Sequence, residues 1–288
     1  MHRDEYLAGE FEKHRDHLKA VAYRMLGSVS EAEDAVQETW IRLHRSDDAA
    51  IENLGGWLTT AVARASLDML RARRARREDP FEPQRPPEPL VAREGALDPQ
   101  HEAMLADSVG LALLVVLETL TPAERLAFVL HDMFSVPFSE IAAIVGRSPE
   151  ASRQLASRAR RRVRGSAPVP DPDLRRQREV VDAFLTAARD GRFDDLVALL
   201  HPDVVLRVDS GATIARGAAE VGRRAYTNAS RASLAQPALV NGVAGFVVAS
   251  DEGPLAVAAL TVADGRIVAM DFVADPERLA NLDLSDFA

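Results

Sequence analysis

Residues 138–164 read FSEIAAIVGRSPEASRQLASRARRRVR, and this stretch decides the fold of the central part of the chain. The apolar residues before Gly146 predict a short helix that ends there, because glycine readily adopts the left-handed conformation that closes a helix. Ser148 and Pro149 supply the cap and the first residue of a second helix, which continues through the arginines. Two helices joined by a tight glycine-containing turn, the second rich in arginine, are typical of a DNA-binding helix-turn-helix.

The second helix of such a motif supplies candidate DNA contacts. Its N-terminal residues meet base edges in the major groove, and flanking polar and basic residues meet phosphates. We therefore predict base contacts from Glu150, Ala151, Arg153 and Gln154, and phosphate contacts from Ser148, Arg158, Arg161 and Arg162. The alternative is an ordinary helical hairpin with a charged surface, but the alternation of small residues with arginines favours DNA.

Positive charge is concentrated in two blocks, although the whole chain of 288 residues has a formal net charge of −9. Residues 64–77 contain six arginines against one acidic residue, Asp68, and residues 121–165 contain eight basic residues against four acidic ones. This asymmetry suggests a polyanionic partner that is contacted at two separate places. For either block alone, a solvated helix face is an equally good interpretation.

Changes of pattern divide the chain into four parts, of which the first two cover residues 1–106. Residues 1–79 predict one helix after another, the first ending near Gly27 and the second beginning at Ser30, with a capping-box glutamate three residues later. Residues 80–106 are rich in proline, since residues 80–99 hold six of the sixteen prolines in the chain. Such a segment favours extended geometry and predicts a spacer.

The remaining two parts differ in structural class. Residues 107–166 return to helix and contain the helix-turn-helix, with a further capping box beginning at Thr121. Residues 171–288 predict two helices followed by strand-like runs, and Asp264-Gly265 is a strong hairpin signal. Helices followed by an antiparallel sheet indicate an α+β domain.

Composition narrows the classes of function. The chain has 47% hydrophobic and 27% charged residues and contains no cysteine, which excludes disulfides, thiolate catalysis and cysteine metal sites. No apolar run approaches the roughly 18 residues that a membrane span needs, and the N-terminus lacks the layout of a secretory signal. We therefore expect a cytoplasmic protein with no membrane partner.

Several motifs resemble those of one protein family. Residues 32–43 (AEDAVQETWIRL) and 56–60 (GWLTT) resemble region 2 of bacterial RNA polymerase sigma factors, and residues 120–125 (LTPAER) with 138–142 (FSEIA) resemble region 4. With VAYRMLGS at 21–28, the chain is similar to the SigJ-like extracytoplasmic-function (ECF) sigma factors, which carry a C-terminal SnoaL-like (NTF2-like) domain. The resemblance implies a multidomain fold: two all-α sigma modules, a region 2 helical bundle and a region 4 helix-turn-helix, followed by an α+β NTF2-like cone.

The resemblance also implies partners and roles. Core RNA polymerase would be bound at its β′ clamp helices and β flap, the linker would thread through the core enzyme, and promoter DNA would be read at two elements. The residues implied in core binding are Asp34, Gln37, Glu38, Trp40 and Arg42. The residues implied at the −10 element are Trp57, Thr60, Arg64, Asp68, Arg71, Arg73 and Arg74. The helix-turn-helix residues named above would contact the −35 element. No bond chemistry, cofactor or metal is implied.

The C-terminal domain is expected to regulate the rest of the chain in cis. The resemblance places regulatory elements at Asp209, Ser210 and Gly211 and at Asp275, Pro276 and Arg278. The domain would contact region 2 or the linker and bias an open–closed equilibrium. Two alternatives stay open: a ligand-sensing regulator that binds DNA without polymerase, and an NTF2-like cyclase or isomerase with a DNA-binding appendage.

An enzyme of this fold needs an acid–base group inside a mostly apolar cavity. The one histidine of the C-terminal domain, His201, is interpreted as a turn residue. Asp209 and Asp271 fall on predicted strands and could point inward, although an exposed strand face is the favoured expectation. A small-molecule ligand is kept as a candidate partner of this domain.

Overall fold

The computed structural model describes residues 2–46, 51–77, 87–93, 110–166, 170–209 and 212–287. The chain forms two compact units. Of the described residues, the first unit comprises those up to Pro87 and those from Val116 to Gly165, and the second comprises all the others. Each unit therefore combines segments that are distant in the sequence.

Three helices begin the first unit: α1 (His2–Leu26), α2 (Val29–Arg45) and α3 (Leu54–Arg77). Their apolar faces pack together, which confirms the helical bundle that was predicted for this part. The residues buried in this shared core include Leu18, Val21, Met25, Val36, Leu43, Leu58, Val62 and Leu67.

At the junction of α1 and α2, the predicted end of α1 is correct and the predicted start of α2 is not. Gly27 has a φ of +71°, and its N–H donates to the carbonyl of Tyr23, so α1 ends where glycine predicts. The cap of α2, however, is Ser28, whose hydroxyl accepts the N–H of Glu31. The prediction of a cap at Ser30 is wrong by two residues, because the chain re-enters helix immediately after the glycine.

Four helices form the central part: α4 (Leu111–Leu117), α5 (Pro122–Phe128), α6 (Phe138–Val145) and α7 (Pro149–Ser166), with a π-helical segment Val129–Met133 continuing α5. The capping box at the start of α5 is confirmed, since Thr121 and Glu124 exchange both of its hydrogen bonds. Gly146 ends α6 with a φ of +72°. The predicted helix-turn-helix is therefore present, with α6 and α7 as its two helices.

Among its described residues, the second unit combines a sheet with five complete helices and with residues 111–115 of α4. The helices are α8 (Leu174–Arg189), α9 (Phe193–Leu199), α10 (Ala218–Thr227), α11 (Ala229–Ala232) and α12 (Pro276–Ala280). The strands are β1 (Val91–Arg93), β2 (Leu200–Val208), β3 (Ala212–Arg216), β4 (Ala235–Val240), β5 (Val243–Ser250), β6 (Gly253–Ala263) and β7 (Arg266–Val273). Their order is β1-β4-β5-β6-β7-β2-β3, and every neighbouring pair is antiparallel except β2 with β7. The predicted α+β class is confirmed.

Both faces of this sheet are covered. One face, which we call the inner face, packs against the helices α8, α9 and α10 through a cluster that includes Phe184, Leu196, Val221, Phe246, Leu260 and Met270. The opposite face is covered by α12 and the C-terminal 3-10 turn (Ser285–Phe287), in a cluster that includes Val247, Val257, Val273, Leu279, Leu284 and Phe287. Strand residues that alternate along the chain thus enter two separate cores.

The segment predicted as a spacer contributes a strand to this sheet. β1 pairs antiparallel with β4, and Val91 lies opposite Val240. The backbone N–H of Leu90 donates to Oδ1 of Asn241 at 2.6 Å, and the N–H of Asn241 donates to the carbonyl of Leu90 at 2.8 Å. Leu90 and Ala92 are buried. This part of the linker is extended, as its prolines predict, but it is held by the second unit.

Two of the hairpins of the sheet have tight turns with successive positive φ values. Asp264-Gly265 joins β6 to β7 with φ values of +51° and +72°, which confirms the predicted hairpin. Asn241-Gly242 joins β4 to β5 with φ values of +52° and +74°. Two successive positive φ values are typical of the type I′ turn that Asn-Gly favours. The Asn-Gly pair is therefore a second local hairpin signal, in addition to Asp264-Gly265.

Candidate nucleic-acid and polymerase interfaces

Helix α7 presents its predicted DNA contacts on one side. Ser152, Leu155, Ala156 and Ala159 are buried against the rest of the first unit. The eight predicted residues occupy the remaining surface, where seven are exposed and Ala151 is half-buried: Ser148, Glu150, Ala151, Arg153, Gln154, Arg158, Arg161 and Arg162. The packing of α7 therefore brings the predicted −35 set to one accessible face.

Glu124 organises the arginines near the C-terminal end of this face. Its Oε1 accepts from Nε of Arg158 at 3.1 Å, and its Oε2 accepts from Nη1 of Arg162 at 3.0 Å. Burial alone would raise the pKa of Glu124, but hydrogen bonds from Thr121 and the positive charges of the two arginines hold its pKa below the ordinary value. The carboxylate stays ionised and orients both guanidinium groups, a role that the capping-box motif did not predict.

The N-terminal turn of α7 carries a carboxylate and a guanidinium side by side. Ser148 caps the helix, since its Oγ accepts the N–H of Ala151 at 3.2 Å. The backbone N–H of Glu150 and the hydroxyl of Ser148 lower the pKa of Glu150. Arg153 lies 3.6 Å from Glu150 and 5.7 Å from the centre of the Phe138 ring. The first turn therefore offers both a hydrogen-bond acceptor and donors for base edges.

Four of the five predicted core-binding residues share one face of α2. Asp34 and Gln37 are exposed, and Glu38 and Arg42 form an ion pair one turn along. Ile41 lies between them on the same surface and is 42% exposed. A single exposed apolar side chain is ordinary on a protein surface, so the face is defined by its charged and polar residues rather than by Ile41.

The fifth residue, Trp40, has a structural contact as well. Its ring packs edge-on against Phe11 of α1, with the ring centres 5.1 Å apart, and lies 6.0 Å from the ring of His44. Trp40 is half-buried. It therefore joins α2 to α1 at the margin of the exposed face.

Five of the seven predicted −10 residues lie along one stripe of α3, because they recur every three or four positions: Trp57, Thr60, Arg64, Asp68 and Arg71. Arg74, three positions after Arg71, is also exposed near the C-terminal end of α3. Trp57, Thr60 and Arg64 line a cavity of about 450 Å³ whose wall includes Glu140 of α6. Nη2 of Arg64 donates to the carbonyl of Ala143 at 3.4 Å. The predicted −10 stripe therefore faces the helix-turn-helix within this unit.

Arg73 is the exception among the predicted −10 residues. Its side chain is only 12% exposed and points away from the stripe. Both of its terminal nitrogens donate to the carbonyl of Leu26, at 3.2 and 3.3 Å, and Nη2 also donates to Glu31. In this conformation Arg73 binds the junction of α1 and α2.

A buried group of charges, the Glu118 cluster (Arg73, Glu118 and Arg125), connects the first three helices to α5. Oε1 of Glu118 lies 2.6 Å from Nη1 of Arg125 and 3.9 Å from Nη1 of Arg73. Nε of Arg125 donates to the carbonyl of Arg24 at 3.3 Å, and the Arg24 guanidinium lies 4.9 Å from the centre of the Phe134 ring. The two sigma-like modules are thus joined by charged side chains with little solvent exposure.

The two predicted regulatory elements of the second unit lie together. Oδ1 of Asp209 accepts the N–H groups of Ala274 and Asp275 at 2.8 and 2.9 Å, and Nη1 of Arg278 donates to the carbonyl of Asp209 at 2.6 Å. Asp275 caps α12, which begins at Pro276. Ser210 and Gly211 lie outside the described residues.

Electrostatics connect this pair of elements to the linker. Burial lowers the pKa of Arg278, while the negative charges of Asp209, Asp275 and Glu88 oppose that shift. Glu88 lies three residues before β1 begins at Val91. The predicted regulatory residues therefore lie where the linker enters the second unit.

Asp271 and His201 occupy positions unsuited to acid–base catalysis in a cavity. Asp271 is 3% exposed, and its Oδ1 accepts from Nη1 of Arg207 at 2.9 Å. Burial raises the pKa of Asp271, and the charge of Arg207 opposes the rise. The expectation of an exposed strand face is wrong for Asp271, because the neighbouring strand β2 supplies a buried cation. Nδ1 of His201 accepts the N–H of Asp203 at 3.1 Å, a local contact at an irregular part of β2.

The inner face of the sheet borders an apolar cavity, and Asp271 is on the opposite side. Its chain neighbours Met270 and Phe272 line the cavity. In the described part of the cavity wall there is no Asp, Glu, His or Tyr side chain to transfer a proton. Across the described ranges, no group of three His, Asp or Glu side chains could hold a metal ion, and no helix is long and apolar enough to cross a membrane.

Known proteins match both units of the chain. Residues 11–76 match the family Sigma-70 region 2, and residues 110–163 match the family Sigma-70, region 4. The ECF RNA polymerase sigma factor SigJ of Mycobacterium tuberculosis (strain ATCC 25618 / H37Rv) is 39% identical, over 96% of this chain and 94% of that protein. The probable ECF RNA polymerase sigma factor SigI of the same strain is 32% identical over 97% of both chains.

A solved structure gives the same result for the fold. The crystal structure of M. tuberculosis SigJ has a TM-score of 0.78 and 38% identity to this chain, and it covers 96% of this chain and 99% of that one. The similarity extends through the second unit, so it is not limited to the two sigma modules. With region 2 helices, a region 4 helix-turn-helix and an α+β C-terminal unit in this order, the chain belongs to the ECF RNA polymerase sigma factors.

Proposed function

We propose that this ECF sigma factor directs promoter-specific transcription initiation by core RNA polymerase and is restrained in cis by its C-terminal unit. In this proposal the exposed face of α2 binds the β′ clamp helices, α3 reads the −10 element and α7 reads the −35 element. The placement of the three residue sets supports these roles, because each set, Arg73 apart, is at least partly accessible on its own helix. The bonds that hold the linker support the restraint.

The observation that carries the restraint is the pairing of β1 with β4. A linker that threads through the core enzyme has to be free of other partners along its length. Residues 91–93 instead complete a sheet, and Leu90 is held by two hydrogen bonds to Asn241. The C-terminal unit and the polymerase therefore compete for the same segment, so that release of β1 accompanies productive binding.

The arrangement of the two modules supports a closed, non-transcribing state. Elements centred at −10 and −35 are about 25 base pairs apart, which is roughly 85 Å at about 3.4 Å per base pair. In this structure Arg64 of the −10 stripe is hydrogen-bonded to Ala143 of the helix-turn-helix. Two modules in direct contact cannot occupy both elements, so promoter binding requires them to separate.

The restraint is tested by weakening the linker contact alone. Asn241→Gly keeps the positive φ of the turn but removes the amide that accepts the N–H of Leu90. We expect this variant to bind core RNA polymerase more tightly and to raise transcription from a cognate promoter. Asp264→Gly is the matched control, since it places glycine at the first positive-φ position of another tight hairpin turn of the sheet without touching the linker.

The outcomes separate the two parts of the proposal. Tighter core binding by Asn241→Gly but not by Asp264→Gly supports linker competition. Equal core affinity for both variants and the unmodified chain would remove the regulatory role of β1 while leaving the sigma activity intact. Failure of all three folded proteins to bind core would contradict the assignment of the polymerase-binding face itself.

A further inference from the structure

The second unit contains a cavity of about 320 Å³ between the inner face of the sheet and the helices α8, α10 and α11. This volume lies at the lower end of the range for small-molecule sites, roughly 300–1,000 Å³. Its walls are aromatic and aliphatic, with Phe184, Phe246, Met270 and Phe272 among them. The rings of Phe246 and Phe272 meet edge to face, with their centres 5.9 Å apart. The interior therefore suits an apolar body.

Polar groups reach this cavity from one side. Among the described wall residues, the polar ones are Arg224, Asn228 and Arg231, all on the continuous segment of α10 and α11. Asn228 is fixed by its own side chain, since Nδ2 donates to the carbonyl of Arg224 at 2.8 Å. Both charged groups are guanidinium groups. The cavity is therefore apolar at its walls and positive at one edge.

The positive charge at this edge is only partly balanced. Nε of Arg224 lies 3.1 Å from Glu220, but the same carboxylate also binds Arg223, so one negative charge serves two cations. Arg231 forms no ion pair within 4.0 Å of any carboxylate in the described part of the chain. A guanidinium has five N–H donors, which leaves several available for an incoming anion.

We propose that this cavity binds a small amphipathic carboxylate, with its alkyl or aryl body among the phenylalanines and its carboxylate at Arg224 and Arg231. Guanidinium groups bind carboxylates through paired, charge-assisted hydrogen bonds, and such bonds orient a ligand that has one charged end. A neutral apolar ligand would leave the two arginines without a function. A multiply charged ligand would bury charge against aromatic walls. This site does not depend on the proposed sigma activity, because it is built within the second unit.

The test uses the full chain and three ligands that differ at one end: decanoate, decanol and decylamine, each below its micelle concentration. Titration calorimetry should show saturable binding of one decanoate per chain, with decanol weaker by at least about tenfold and decylamine weaker still. 2-Naphthoate serves as a second carboxylate with an aromatic body. Because the arginines are exposed, their substitution should leave the fold intact.

Variants on α10 and α11 separate the role of the cavity from that of its surroundings. Arg224→Gln combined with Arg231→Gln should weaken decanoate binding by about tenfold while changing decanol binding little. Arg223→Gln is the matched control, because Arg223 is on the same helix and pairs with the same glutamate but does not line the cavity. Decanol binding as tightly as decanoate, or equal loss of decanoate binding in Arg223→Gln, would overturn the proposal. So would the absence of saturable binding by both carboxylates.

Discussion

Arg125 and Glu118 form a buried ion pair, with Nη1 and Oε1 2.6 Å apart and only 2% of the Arg125 side chain exposed. Arg125 also donates to the carbonyl of Arg24, so this pair joins α5 to the end of α1. Removing one partner of a buried pair leaves the other charge uncompensated, which costs about 3–5 kcal/mol. The contact between the two sigma modules should therefore be sensitive to a single neutral substitution.

Glu118→Gln is expected to lower the free energy of unfolding of the first unit by about 3 kcal/mol. Both tryptophans of the chain, Trp40 and Trp57, lie in this unit, so their fluorescence in a urea titration follows its unfolding. Glu12→Gln is the control, because it breaks an exposed pair with Arg15 and should cost less than about 1 kcal/mol. Similar losses in the two variants would contradict a special role for the Glu118 cluster.

Glu124→Gln is expected to reduce discrimination at the −35 element while strengthening non-specific DNA binding. The amide retains an oxygen for the cap of α5 but no longer neutralises or orients Arg158 and Arg162. Phosphate attraction should rise because a negative charge is lost. Discrimination should fall because phosphate contacts such as those predicted for Arg158 and Arg162 fix the register in which the base-contacting residues of α7 meet the DNA. Competition between promoter and random duplexes at fixed salt measures the specificity ratio, that is, the affinity for promoter DNA divided by the affinity for random DNA.

The matched control for that experiment is on the same helix. Asp132→Asn removes an equivalent pair, 2.6 Å from Nε of Arg160, which is not in the predicted −35 set. Its effect on non-specific binding should resemble that of Glu124→Gln, but the specificity ratio should stay unchanged. If both variants keep the specificity ratio of the unmodified protein, the two predicted phosphate contacts that Glu124 orients do not set the register on DNA.

Two arginines of α7 should respond differently to substitution. Arg153→Ala removes a predicted base contact and should cost about 1–3 kcal/mol on the preferred sequence, with relaxed preference at one base position. Arg161→Ala removes a predicted phosphate contact and should weaken all sequences alike, lowering the slope of log affinity against log salt by about 1. Affinity across a library of single-base −35 variants, repeated at several salt concentrations, distinguishes these patterns. Identical patterns for the two variants would contradict the division into base and phosphate contacts.

His17 should make the first unit sensitive to mild acid. Its ring contacts Thr59 Oγ1 at 3.3 Å and meets the Phe134 ring edge to face, with ring centres 5.3 Å apart. His17 is exposed to solvent on one side, but partial desolvation of its ring, followed by the positive charges of His14 and Arg24, lowers its pKa from 6.5. The unfolded chain therefore takes up the proton more readily than the folded one. Stability is complete above about pH 6.5 and falls as the pH drops from there towards the folded pKa.

Urea titrations followed by tryptophan fluorescence between pH 7.5 and 5.5 would measure this dependence. His17→Gln should flatten it over that range, because the remaining carboxylates titrate mostly at lower pH. His201→Gln, in the second unit, should leave it unchanged. A pH dependence that survives in His17→Gln would assign the acid sensitivity to another group.

Local signals were sufficient for most of the helical part. Gly27, Gly146 and the capping box at Thr121 mark helix ends correctly because each acts within a few residues of chain. The exposed positions on α2, α3 and α7 likewise follow from helical periodicity. Ser28 replaces Ser30 as a cap because two candidate caps lie close together, and the length of the preceding turn decides between them.

Features that depend on distant partners were not predictable in this way. β1 forms because it pairs with β4, and the hydrogen-bonded residues Leu90 and Asn241 are 151 positions apart in the sequence. Asp271 is buried because Arg207 of another strand supplies a counter-charge. Arg73 belongs to an arginine-rich run that two alanines interrupt, yet α1 and α2 provide its acceptors. In each case the residue that determines the contact is remote in sequence, so a local sequence pattern cannot predict the contact.

The pairing of β1 also protects the sheet from other chains. When β1 departs, β4 becomes an edge strand with a row of unpaired N–H and C=O groups next to Ala238, Leu239 and Val240. Such edges are templates for strand addition and aggregation. A molecule that released its linker without polymerase at hand would be liable to self-association. Under the proposed competition for the linker, release of β1 before polymerase binds would therefore lower the solubility of the chain.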